Sequence, residues 1–375
     1  MRIAVPTEIK DSEFRAAADA DMVHELVRAG NSVTVQAGAG TGSGVSDEQY
    51  RKAGATVVEG AEAVWDDAEL VLKVKELLPC EYRYLRPDLT LFTYLHLAAD
   101  ESLTRALMES GATAIAYETV TGPLGGLPLL APMSEIAGRM SVPIGAAHLM
   151  SYGGGSGVLL SGVPGTRRGK VAVIGGGTAG QSAAMMAVGL GAEVTVLDIS
   201  LNRLRQLEGM FGSRVNLLAS NQDAIARAVS EADLVIGSVL IPGAKAPKLV
   251  TNDMVAQMRP GSVLVDIAID QGGCFEGSHP TKHTDPTFEV NGAIFYCVAN
   301  MPGAYPQTAT AALTNATLPY VLEIAGRGVQ TALLSDPGLS DGVNTFRGHL
   351  VNQKVAAAFD LPWTPLKLDG RLIED

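Results

Sequence analysis

Basic residues are in short supply: 28 Lys and Arg face 40 Asp and Glu, for a formal charge of −12. A surface of that sign repels phosphates, so neither nucleic acid nor an anionic membrane surface is expected as a partner. Cysteine is scarce too. Cys80, Cys274 and Cys297 share no metal-ligand spacing and leave an odd count, which excludes a fully paired disulfide framework and favours free or buried thiols in a reducing compartment. No His/Cys/Asp cluster has zinc spacing, so no catalytic metal is expected. No run of about 18 consecutive apolar residues occurs, so no membrane span is expected. Residues 1–6 read as the start of a strand and not as a signal peptide. A soluble, cytoplasmic protein is the reading these absences leave.

Charged residues make up only 18% of the chain, while 47% are apolar and 42 are glycine. That balance suits buried parallel sheets joined to helices by tight turns, and 375 residues suffice for two domains of ordinary size. The most telling stretch runs Val171-Ala172-Val173-Ile174-Gly175-Gly176-Gly177-Thr178-Ala179-Gly180. An apolar strand ends in Gly-x-Gly-x-x-Gly, and a small-residue helix follows from Gly180 to Leu190. A second strand, from Val194, then ends at Asp198. In this arrangement the first glycine makes a tight turn, the second lets the backbone approach a pyrophosphate, and the third packs helix against strand. The helix N-terminus presents unpaired N–H groups to the phosphates, and Asp198 is placed to accept from ribose hydroxyls. A bound dinucleotide is expected, with NAD favoured over NADP because Asp198 repels a 2′-phosphate. Arg203 and Arg205 nearby are the groups able to soften that preference.

Elsewhere short apolar runs alternate with amphipathic segments. Strands are expected at Ile3–Pro6, Ser32–Gln36, Leu70–Val74, Thr90–Leu95 and Thr113–Tyr117, with helices at Met22–Arg28, Asp47–Ala53 and Leu103–Ser110. A long helical pattern runs from Met133 to Met150, and strands follow at Leu234–Gly237 and Val263–Ile267. A second long helix covers Thr308–Arg327, then a short helical end and a polar tail. No short-period repeat is present. The expected fold class is therefore α/β: two doubly wound parallel-sheet domains joined by long helices. Because the fingerprint lies mid-chain, a Rossmann nucleotide domain (131–304) is expected as an insertion into a flavodoxin- or Rossmann-like substrate domain (1–130 and 305–375).

In open α/β sheets ligands bind beyond the carboxyl ends of the strands, which shortlists Arg15, Lys75, His96 and Asp270. A planar arginine can hold a carboxylate, a lysine can polarise a carbonyl oxygen, and a histidine titrates near neutral pH as an acid–base group. With a nicotinamide, the set describes hydride transfer at a carbon bearing a carboxylate and an amino or hydroxyl group. Each residue also has a plainer reading. Arg15 can be half of a surface pair with Glu13, Lys75 a solvated charge, His96 a structural hydrogen-bonder and Asp270 a turn cap. Of the remaining histidines, His24 lies on a helix beside Glu25, His279 and His283 flank Pro280 and Lys282 in a polar loop, and His148 and His349 show no partner pattern.

The ordered blocks Val74-Lys75-Glu76, Tyr94-Leu95-His96, Ala116-Tyr117-Glu118-Thr119 and Met133-Ser134-Glu135 carry a resemblance. So do Leu240-Ile241-Pro242-Gly243-Ala244-Lys245-Ala246-Pro247, Asp266-Ile267-Ala268-Ile269-Asp270-Gln271-Gly272-Gly273 and Tyr296-Cys297-Val298-Ala299-Asn300-Met301-Pro302-Gly303. Nearly end to end, the chain resembles the alanine dehydrogenases, in the wider group that includes the pyridine-nucleotide transhydrogenase alpha subunit. The resemblance implies NAD-dependent, reversible oxidative deamination of L-alanine to pyruvate and ammonia, carried out by a homohexamer. It implies that Arg15 and Lys75 hold the substrate carboxylate and carbonyl, that His96 is the general acid/base, and that Asp270 orients ammonia or water and the nicotinamide ribose. It assigns cofactor contacts to Ser134, Gly175, Gly177, Thr178, Ala179, Gly180, Asp198, Arg203, Ser220, Val239, Ile267, Asp270, Asn300 and Met301. The chain departs from the family pattern at residues 16–22, at residues 149–152, and at Tyr305 with Gln307. Three alternatives stand beside this one. They are a dehydrogenase for another 2-amino/2-oxo acid, a transhydrogenase-like subunit without an amino-acid substrate, and a non-catalytic NAD sensor. The transhydrogenase alternative predicts loss of the Arg15, Lys75 and His96 set.

Overall fold

The computed structural model describes every residue except Leu124, residues 240–245, 369–370 and 373–375. Most of the block at 240–247 quoted above therefore lies outside the described residues. The chain divides into two compact units, residues 1–133 with 305–375, and residues 134–304. Both are α/β, as the alternating pattern predicts.

The first unit begins with six strands: β1 (Arg2–Val5), β2 (Ser32–Gln36), β3 (Thr56–Val58), β4 (Leu70–Leu72), β5 (Thr90–Thr93) and β6 (Thr113–Ala116). They pair in parallel in the order β6-β5-β4-β1-β2-β3. Strands β4, β5 and β6 are buried along their whole length, which is why they read as unbroken apolar runs and not as alternations. Helix Ala20–Arg28 starts on Asp19, whose Oδ1 accepts from the Met22 amide at 2.9 Å. Trp65, Leu91, Leu95 and Leu107 meet in the core on one face of the sheet.

The second unit holds β7 (Lys170–Ile174), β8 (Glu193–Asp198), β9 (Val215–Ala219), β10 (Leu234–Gly237), β11 (Val263–Asp266), β12 (Thr287–Val290) and β13 (Ala293–Tyr296). Their order is β12-β13-β11-β10-β7-β8-β9, with only β12 antiparallel. The β12–β13 hairpin turns at Asn291-Gly292, both with positive φ, as a two-residue hairpin turn requires. Helix Thr178–Gly189 follows β7, and a core around Ile225, Val235, Phe275 and Phe295 fills one face of this sheet.

The chain then returns to the first unit through helix Pro306–Arg327. Its last part differs from expectation. After two short helices, β14 (Val343–Phe346) and β15 (His349–Leu350) extend the first sheet, β14 lying antiparallel to β6. The polar Asn344 and Thr345 conceal this strand in the sequence, yet both are buried and bonded: Asn344 Nδ2 donates to Thr119 Oγ1 at 3.1 Å, and Thr345 Oγ1 to the Ala112 carbonyl at 3.2 Å. Among the described residues, no helix is long and apolar enough to cross a membrane.

Candidate active site

In the first sheet the strand order reverses between β1 and β4, so the loops that leave their carboxyl ends part there. Strands β1, β4, β5 and β6 are parallel neighbours, and the segments beyond them carry Arg15, Lys75, His96 and Glu118 respectively. One sheet edge thus brings three of the four shortlisted residues together.

Arg15 does pair with Glu13, but inside the protein: the two side chains are 2% and 0% exposed. Arg15 Nε donates to Glu13 Oε1 at 2.7 Å and Nη2 to Oε2 at 2.5 Å, while Nη1 points at Met133 Sδ, 3.1 Å away. Burial disfavours the guanidinium charge, but Glu13 outweighs it and holds Arg15 above its ordinary value. Removing either partner alone takes from the other a buried opposite charge at hydrogen-bond distance.

Lys75 is only 7% exposed, far from the solvated charge of the plainer reading. Its segment is fixed by Glu8, beyond β1, which accepts from the Val74 amide at 2.5 Å and receives Lys73 Nζ at 3.1 Å. Glu81 binds the same ammonium at 3.0 Å. Burial lowers the Lys73 ammonium, yet the two carboxylates raise it above its ordinary value; burial pushes the Glu8 carboxyl up despite Lys73. Lys73 is thus spent on structure. Among the described residues, no hydrogen bond engages Lys75 Nζ. Glu76 beside it would be raised by burial, but Lys75, the hydrogen bond from Lys10 and the nearby His96 hold it below the usual carboxylate range.

His96 has left-handed backbone angles, φ 49° and ψ 33°. Its ring lies parallel to that of Tyr94, with centroids 6.1 Å apart, and Tyr94 is itself tethered by its hydroxyl to the Leu129 carbonyl at 2.6 Å. Among the described residues, six other than glycine have positive φ: Ser12, His96, Asn291, Asn300, Arg347 and Asp360. Asn291 and Arg347 make hairpin turns and Asp360 ends a helix. The other three lie in the loops of Arg15, His96 and Asp270's partner Asn300, as expected where backbone strain serves a site.

The second unit presents its own carboxyl edge, and its strand order reverses between β7 and β10. Gly175 to Gly177 follow β7, Asp198 ends β8, Ser220 follows β9, Val239 follows β10, Ile267 and Asp270 follow β11, and Asn300 and Met301 lie beyond β13. Ser134 lies on helix Ala131–His148, four residues before Gly138, where that helix packs against Ala179 and Ser182. Asp270 accepts from the Asn300 amide at 3.3 Å. Asp198 Oδ2 accepts from the Gly176 amide at 2.8 Å and Oδ1 from Ser200 at 2.8 Å. Arg203 spends its donors within the protein, on the Gly176 carbonyl, Gln181 and Gln206, and burial lowers its guanidinium.

A Cβ at each glycine separates the three jobs of the fingerprint. Gly175 has φ +97°, which side chains rarely adopt; at Gly180 a Cβ would lie 1.8 Å from the Gly175 carbonyl oxygen; at Gly177 it would meet nothing within 4 Å. The turn and the packing contact are thus demanded by the protein. The space above Gly177 is left for something else, beside the N-terminus of helix Thr178–Gly189, which no side chain caps. The residues fit a pyrophosphate. Cys274 and Cys297 near this edge are pushed up to about 12 by burial first, so neither offers a thiolate.

Sequence reasoning singled out Arg15, Lys75, His96 and Asp270 but gave Glu13 only a surface role and gave none to Glu8, Glu76 and Glu118. The available signal was position: Glu8, Glu76 and Glu118 each lie within four residues of a strand's carboxyl end.

The fold and the glycine loop define a Rossmann-type nucleotide-binding protein of two α/β units. The models of the alanine dehydrogenase/PNT N-terminal and C-terminal domains match residues 4–137 and 141–353, and the chain belongs to that family. It is 57% identical over 364 residues to an alanine dehydrogenase of Mycolicibacterium smegmatis, covering 97% of this chain and 98% of the relative. With an alanine dehydrogenase of Geobacillus stearothermophilus it shares 56% over 368 residues, again 97% and 98% of the two chains. A solved L-alanine dehydrogenase superposes with a TM-score of 0.92 at 54% identity over 96% of this chain and 99% of the other. A transhydrogenase from Sinorhizobium meliloti gives 0.79 at 26% identity over 94% and 99%.

Proposed function

We propose that the protein is an NAD-dependent alanine dehydrogenase: L-alanine, water and oxidised cofactor give pyruvate, ammonium, a proton and reduced cofactor, and the reverse. The observation that carries this is the intact set of Arg15, Lys75 and His96 at adjacent strand ends of one sheet edge. It separates the reading from a transhydrogenase-like subunit, which has no amino acid to hold.

Gly175 to Gly180 would hold the dinucleotide pyrophosphate and Asp198 its ribose, and the cofactor when bound would supply the two-electron acceptor for the alanine α-hydrogen. The protein's own residues do the rest. Glu13 holds the Nε and Nη2 edge of Arg15, which fixes the guanidinium that meets the substrate carboxylate. Lys75 Nζ donates to the 2-oxo oxygen. His96 gives and takes the proton at the oxygen and nitrogen on C2 as the carbinolamine forms and collapses. Asp270 orients ammonia or water. Self-association, as a hexamer by family resemblance, is supported by exposed Met150, Tyr152, Leu159 and Val163 on the second unit.

The test is NADH oxidation with ammonia and a panel of 2-oxo acids. Pyruvate is expected to give the highest kcat/KM. A larger oxo acid in first place would move the reading to another amino-acid dehydrogenase, and tight NADH binding without turnover would move it to a sensor or subunit. A second expectation concerns the cofactor. With Arg203 engaged elsewhere, Asp198 sets the preference, so Asp198→Ala should raise the NADP-to-NAD ratio of kcat/KM by about tenfold or more, a change of about 1.4 kcal/mol. An unchanged ratio would remove Asp198 from ribose recognition.

A further inference from the structure

We propose that Glu118 is the positioning residue of His96, holding the main chain that aims the imidazole. The inference rests on the assignment of His96 to proton transfer made above.

Strands β5 and β6 pair in register, Thr93 opposite Ala116. His96 lies three residues past the end of β5 and Glu118 two past the end of β6, so register alone makes them neighbours. The Glu118 carboxylate accepts from the Leu95 amide at 3.1 and 3.2 Å, through both oxygens, and from the His96 amide at 2.6 Å. These N–H groups lie where the chain leaves the sheet, turns left-handed at His96 and enters the short helix Leu97–Ala99. No neighbouring strand can pair them there, and a buried amide needs a partner. A carboxylate that bridges two successive amides fixes the orientation of the peptide plane from which the His96 side chain departs.

The contact to the ring is different in kind. His96 Nδ1 lies 3.9 Å from Glu118 Oε1, too far for a hydrogen bond. Glu118 therefore acts through the main chain and is not itself a proton partner. Its base is firm. Tyr117 is fully buried, edge-on to Phe92 at 4.5 Å and to Tyr94 at 5.1 Å. Thr119 is bonded by Asn344 at 3.1 Å, which ties the turn to β14. Tyr94 and Glu118 thus hold His96 from two sides, one by stacking on the ring and one by gripping the backbone, as a precisely aimed group requires.

The experiment is a mutant cycle on the full-length enzyme, with kcat, KM for pyruvate, Kd for NADH and Tm measured for each variant. Glu118→Ala should lower kcat about ten- to hundredfold, the scale of a misplaced catalytic group, with NADH affinity within about twofold of wild type. Glu118→Gln keeps an oxygen for the amides and should restore kcat to within about fivefold of wild type. In the double variant with His96→Ala, the Glu118 change should add less than about twofold, because it acts through the imidazole. If Glu118→Ala does not fold, Glu118→Asp, which withdraws the carboxylate by one methylene, takes its place with an expected loss of about tenfold. Wild-type kcat in the Ala or Asp variant, or losses that multiply in the double variant, would overturn the proposal. Wild-type kcat in His96→Ala alone would instead remove the assignment of His96, a separate outcome.

Discussion

Replacing His96 by alanine should lower kcat for the amination of pyruvate about a hundredfold or more and leave NADH affinity close to wild type. The magnitude follows from the loss of a positioned proton donor and acceptor, which contributes typically about 10²–10⁴ in rate. The sparing of NADH affinity follows from where the groups lie: the fingerprint loop and Asp198 belong to the second compact unit, His96 to the first. The substitution also changes the backbone, because alanine adopts φ 49° less readily than histidine. His96→Asn separates the two effects, since asparagine tolerates the left-handed region and cannot titrate. Both variants should be slow, and the asparagine variant should keep wild-type thermal stability. Steady-state rates, a fluorescence titration with NADH and a thermal melt measure the three quantities. Turnover within about threefold of wild type in both variants would exclude general acid/base catalysis by His96, given the scale above.

The elements most legible in the sequence were those with complete burial or strict alternation. Strand Leu234–Gly237 is buried throughout, and its apolar run marks both ends. Val263–Asp266 reads to within one residue, and Ser32–Gln36, which alternates between buried and more exposed residues, reads with the same bounds from its period of two. Less of β9 and β14 was visible, for opposite reasons. Strand β9 forms an exposed edge, with only Val215 buried. Strand β14 is wholly buried but carries Asn344 and Thr345, each of which donates to a group more than two hundred residues earlier in the chain. Long-range partners of that kind leave no local periodicity. The candidate site divides in the same way. Arg15, Lys75 and His96 were found because ligands gather at strand ends, a rule that needs only the strand pattern. Glu13 was seen only as a surface partner, since burial of a charged pair two residues apart cannot be read from composition. Glu8 and Glu118 were missed as supports because they act on main-chain amides of other segments, and a sequence does not say which amides the sheet leaves unpaired.

Gly180→Ala should damage the second unit most among single-methyl changes to the fingerprint, and Gly177→Ala should damage only its ligand binding. At Gly180 the new Cβ would lie 1.8 Å from the Gly175 carbonyl oxygen and 2.7 Å from Ser238 Oγ. That oxygen cannot easily retreat, because Ser238 Oγ already donates to it at 2.8 Å and Gly175 is held in a turn at φ +97°. Helix Thr178–Gly189 must therefore move off β7. Overpacking of this kind costs about 1–3 kcal/mol, which for a unit of this size lowers Tm by about 3–10 °C. The same movement displaces the helix N-terminus, so NADH binding should weaken about tenfold or more, the equivalent of at least about 1.4 kcal/mol. Gly177 has φ −63° and an empty surrounding, so alanine there should leave Tm within about 1 °C of wild type, as for other surface changes. Its methyl would nevertheless stand where backbone must approach the pyrophosphate, and NADH affinity should fall by a similar factor. Calorimetry and NADH titration of the two variants distinguish a glycine required by the protein from one required by its ligand. Wild-type NADH affinity in Gly177→Ala would move the pyrophosphate away from this loop, and wild-type Tm in Gly180→Ala would mean that helix and strand can part without cost.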